Sequence, residues 1–63
     1  MKNLINQAMN EAGSTELFAV TQALEAIAFR EIGGKRLNEA YQWLYLQGIR
    51  TTNDVKKVIE NDL

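Results

Sequence analysis

The sequence contains no cysteine, no histidine and no proline. Without Cys there is no disulfide, and without Cys or His the usual structural zinc site has no ligands. The same two absences remove the commonest general base and both the thiol and imidazole nucleophiles. The expectation is a protein that catalyses nothing and holds neither metal nor cofactor. Carboxylates do pair in sequence, Glu25 with Glu31 and Asp54 with Asp62, but no recognisable motif surrounds them. They read as solvated helix faces and caps. Ser14 has no base to activate it, and Gly33-Gly34-Lys35-Arg36 lacks the spacing and the Lys-Ser/Thr pair of a phosphate-binding loop.

Charge of one sign is also missing. Seven basic and eight acidic residues leave a formal net charge of −1, with the two signs interspersed. That disfavours broad electrostatic attachment to nucleic acid, which needs a concentrated basic surface. No run is long and apolar enough for a membrane span, and MKNLINQAMNEA reads as neither signal peptide nor anchor. The expected location is therefore the cytoplasm.

What is present is apolar content, 46% of 63 residues, which excludes a disordered chain on composition. This length suits a single helical domain, residues 1–63, that buries only about 60% of its unfolded surface. Tight helix packing, self-association or a partner must supply what a large core would.

Apolar spacing predicts an all-α bundle of three to four short helices, over about 3–12, 15–32, 36–47 and 52–61. Leu4, Ile5, Ala8, Met9 and Ala12 share one face of the first, which Gly13 ends. Ser14 or Thr15 offers an N-cap to the second, with Glu16 in its first turn. Leu17, Val20, Leu24, Ile27 and Ala28 then form its stripe. Gly33-Gly34 ends that helix. The third carries Leu37, Ala40, Tyr41 and Leu44 on one face, which assigns Tyr41 to the core. Gly48-Ile49 predicts a Schellman stop, with Ile49 packing back on Leu44. Thr51-x-x-Asp54 reads as a capping box, and Val55, Val58 and Ile59 as the inner face of the last helix.

Trp43 and Leu46 are displaced from the third helix's stripe by about 100–200°, with Tyr45 between. One reading packs them on several neighbours within the fold. The other makes Trp43, Tyr45, Leu46, Phe18 and Phe29 a partner-binding set, since aromatic residues are enriched in binding hot spots. The partner would be a host protein or a second copy, giving a homo-oligomer.

Glu31 to Val58, EIGGKRLNEAYQWLYLQGIRTTNDVKKV, resembles the helix-hairpin-helix modules of DNA repair and recombination proteins. Gly33-Gly34-Lys35-Arg36 stands at the hairpin, and Gly48-Ile49-Arg50-Thr51-x-x-Asp54-Val55 matches the closing part. The hairpin here has adjacent glycines where the family has Gly-x-Gly, and its distance to Gly-Ile is about one turn longer. The resemblance implies phosphate contacts from Gly34, Lys35, Arg36 and Arg50, aided by hairpin N–H groups. The near-complete use of Leu4 to Ile59 as helix, the Gly33-Gly34 hinge and the missing catalytic residues are similar to small accessory proteins of lambdoid phages, of the exo–xis region type. That resemblance implies a regulatory protein acting on a host factor. The primary expectation is a protein–protein interaction module; the alternative is a DNA-binding module built on the glycine turn.

Overall fold

A computed structural model describes residues 2–34 and 36–61. Among these the chain forms four helices and no strand: α1 (Lys2–Ala12), α2 (Leu17–Ile32), α3 (Leu37–Leu46) and α4 (Thr52–Asn61). The boundaries follow local chemistry. At the end of α3 the Ile49 N–H donates to the Leu44 carbonyl at 2.9 Å and the Gly48 N–H to that of Tyr45 at 3.0 Å. These are the two bonds of a Schellman motif, and they require Gly48 to hold a φ of 92°, which a side chain resists. Gly33 closes α2 in a simpler left-handed cap, with φ 62° and its N–H on the Phe29 carbonyl.

Asp54 sets the start of α4. Its Oδ2 accepts the N–H of Arg50 at 2.9 Å and of Thr51 at 3.1 Å, the carboxylate half of a capping box. The start of α2 differs from the expectation. The cap position is Glu16, in extended conformation with no side-chain cap bond, and the helix begins at Leu17. Ser14 does not cap it; its Oγ accepts the Glu16 N–H at 3.0 Å, a local turn that holds residues 14–16 out of the helix.

The core forms where α2 meets its neighbours. Val20, Leu24, Ile27 and Ala28 are buried, together with Ile5 and Ala8 of α1, Ala40 and Leu44 of α3, and Ile49. Val55, Val58 and Ile59 of α4 complete it. No charged or polar residue is buried among the described residues. Helix α2 touches all three others, and α1 also touches α4, whereas α3 packs on α2 alone among the described helices. The Arg30 guanidinium ties α1 to α2, donating through Nη2 to both Glu11 oxygens at 3.0 and 2.8 Å. The radius of gyration is 10.7 Å, close to the roughly 10.6 Å expected for a folded chain of this length.

Candidate functional site

Because α3 leans on a single neighbour, only a narrow stripe of it is covered. Ala40 and Leu44, four residues apart, are buried against α2. Trp43 is half-buried on one flank and packs against the core. The opposite flank faces outward. Leu37, Tyr41 and Tyr45 retain 47, 49 and 54% of their exposure, and Leu46, turned furthest from the core, retains 80%.

This corrects the sequence expectation for two residues. Leu37 and Tyr41 share the apolar stripe in sequence, yet both are exposed. Tyr41 follows Ala40 and is turned about 100° from it, so covering both needs helices on two sides of α3. Only α2 is there. Leu37 is the first residue of the helix, at its open end.

Two polar contacts hold the outer tyrosines. The Tyr41 hydroxyl donates to Glu25 Oε2 of α2 at 2.7 Å. That bond, with some desolvation and the nearby carboxylate charge, raises the phenol above its ordinary pKa. The Arg50 guanidinium lies over the Tyr45 ring, 4.7 Å from its centroid, a cation–π contact that steadies the end of α3.

Beside Tyr41 a groove of about 360 Å³ opens between α3 and the start of α4. Leu24, Leu44, Ile49 and Val55 line its apolar part, and Arg50 and Thr51 stand at its edge. Thr21 also lines it; the Thr21 Oγ1 is buried and finds no hydrogen-bond partner.

The five residues considered for partner binding do not make one patch. Phe18, Tyr45 and Leu46 are exposed, whereas Trp43 and Phe29 are partly covered by the chain's own core. Phe18 and Phe29 stand about 16 Å apart along α2. The structure brings together a different set, Leu37, Tyr41 and Tyr45 on one ridge with Leu46 beside it. Their spacing at i, i+4 and i+8 was readable in the sequence. So was the near-absence of charge from LNEAYQWLYL, where only Glu39 is ionised.

The residues considered for nucleic-acid contact are dispersed. Gly34 and Arg36 lie before α3 and Arg50 beyond it, about 15 Å apart along ten helical residues. Lys35 lies outside the described residues. The Gly33 N–H is already committed to capping α2, and Glu39 Oε2 lies 3.3 Å from where a Gly34 Cβ would be. An acid beside the hairpin opposes a phosphate there.

No described helix is long and apolar enough to cross a membrane. Comparisons with protein-family models, with curated proteins and with solved structures find no match to this chain.

Proposed function

We propose that this chain is a non-enzymatic helical interaction module that presents the outer face of α3 to a protein partner. The reading extends to a cytoplasmic accessory or regulatory protein of phage or bacterial origin. One observation carries it: of the five large hydrophobic residues exposed among the described residues, four, Leu37, Tyr41, Tyr45 and Leu46, lie on one ten-residue helix. Scattered apolar residues are ordinary on a protein surface, but a contiguous aromatic and aliphatic face depleted in charge has the composition of an interface centre.

The test is affinity capture from the source cell with the native sequence and with a Tyr45→Ala/Leu46→Ala variant, each with and without nuclease. The expected result is a protein retained by the native chain, lost with the variant and indifferent to nuclease. Equal capture by both forms overturns the reading. So does salt-sensitive recovery of nucleic acid alone, with amide shifts centred on Gly34, which would favour the glycine-turn alternative.

A further inference from the structure

We propose that the occupant of the α3 face is a second copy of this chain, docked antiparallel about a twofold axis that passes close to Tyr41. This rests on α3 being an interaction surface and adds what covers it.

The charge distribution gives the first argument. On α3 the exposed ridges on either side of Tyr41, formed by Leu37, Asn38, Tyr41, Gln42, Tyr45 and Leu46, hold no residue ionisable near neutral pH, although Glu39 of the same helix is exposed too. Elsewhere the outer surface is charged, with Glu11 on α1, Arg30 and Glu31 on α2, and Lys56, Lys57 and Glu60 on α4. The only ionised side chain of α3, Glu39, lies back beside Gly34. The α3 side chains of the seam therefore bring no like charges together, and the charges nearest it are one of each sign per copy, Glu25 on the Tyr41 hydroxyl and Arg50 over the Tyr45 ring. A net charge of −1 per chain adds almost no long-range repulsion.

Spacing gives the second. A twofold interface uses the same patch on both copies, so the patch must complement itself when reversed. Leu37 precedes Tyr41 by the same four residues that separate Tyr41 from Tyr45. Reversal about Tyr41 thus sets Leu37 against the partner's Tyr45 and Tyr41 against the partner's Tyr41. Asn38, Gln42 and Leu46 form a parallel ridge one residue on, and adjacent i±4 ridges are what interlocking helices need. The amides of Asn38 and Gln42 can pair across the seam with their counterparts.

The third concerns cost. Burying a tyrosine ring is unfavourable when its hydroxyl loses water without replacement. Here the Tyr41 hydroxyl already has Glu25 at 2.7 Å within its own chain, so the ring closes against a partner with that group satisfied.

Area sets the strength. A standard interface takes about 800 Å² from each partner, roughly a fifth of the 4314 Å² this chain exposes. At about 200 Å² per aromatic side chain, the two half-exposed tyrosines retain about 200 Å² between them, which places the contact at the small end. The dimer is accordingly of the weak, transient kind.

Sedimentation equilibrium from low micromolar to millimolar concentration tests this, using the native sequence and Leu37→Glu. An acid in the first turn of α3 favours the helix, so the variant keeps its circular dichroism while placing a charge in the seam. The expected result is a concentration-dependent rise to the mass of two chains, weakened about tenfold or more by Leu37→Glu. Since the chain has no cysteine, Gln42→Cys and Lys57→Cys each introduce a single thiol. Oxidation should link Gln42→Cys into dimers and leave Lys57→Cys, on α4, largely monomeric. A single-chain mass at every concentration overturns the proposal while leaving a different protein partner for α3. A dimer indifferent to Leu37→Glu, or one cross-linked through Lys57→Cys in preference to Gln42→Cys, overturns it as well.

Discussion

Helices α3 and α4 are each ten residues long and follow one another in the chain, yet they divide their surfaces in opposite ways. Helix α4 buries Val55, Val58 and Ile59 and turns Lys56, Lys57 and Glu60 to solvent, with Lys56 and Glu60 an exposed pair at 3.9 Å. It is finished by its own fold. Helix α3 buries only Ala40 and Leu44 in full and leaves four large apolar side chains outside. The difference lies in their neighbours: α4 is held by α2 and α1, α3 by α2 alone. An amphipathic pattern therefore says how much of a helix is apolar, while the number of supporting elements says how much of that is covered.

The largest expected effect is on the finished helix. Ile59→Ala should cost about 3 kcal/mol, a large share of the stability of so small a domain, measured by urea unfolding. Next comes the junction between the two helices. Gly48→Val forces a β-branched side chain into a φ of 92° and should cost about 2 kcal/mol. A cost under about 0.5 kcal/mol there would show that the junction is not a fixed stop.

Acid should act on the junction and on the α1–α2 tie. Hydrogen bonds from Arg30, then Gln7, hold the Glu11 carboxyl below its usual range. The backbone N–H groups of Arg50, then Thr51, do the same for Asp54. Both groups bind fewer protons folded than unfolded, so their contribution is present above about pH 4 and fades as pH falls through the lowered folded values. Thermal melts between neutral and acidic pH should show this, and Asp54→Asn should flatten the dependence without abolishing it. The smallest effect falls on the open face of α3. Leu46→Ala should change stability by less than about 0.5 kcal/mol at dilution where the chain is monomeric.

Much of this fold is legible in the sequence. Apolar spacing and glycine positions place all four helices within about two residues, an ordinary uncertainty for helix ends. The Gly48-Ile49 stop and the Asp54 cap follow from chemistry local to a few residues, so neighbours elsewhere do not alter them. What is not legible is which way α3 faces. Tyr41 belongs to the core if a third element lies over α3 and to the surface if none does, and periodicity is identical in the two cases. Trp43 shows the converse: displaced from the main stripe, it still packs on the core. The candidate site was accordingly half visible, through Tyr45 and Leu46, and completed by Tyr41, assigned to the interior, and Leu37, placed on the same apolar face.

The most direct test of the claim that α3 is the covered surface is a map of amide resonances in the native sequence, followed through serial dilution and on addition of any captured protein. Perturbations should concentrate on residues 37–46 and spare the outer residues of α4. Changes centred on α4 or on Gly34 to Arg36, or a spectrum that neither treatment alters, would contradict it.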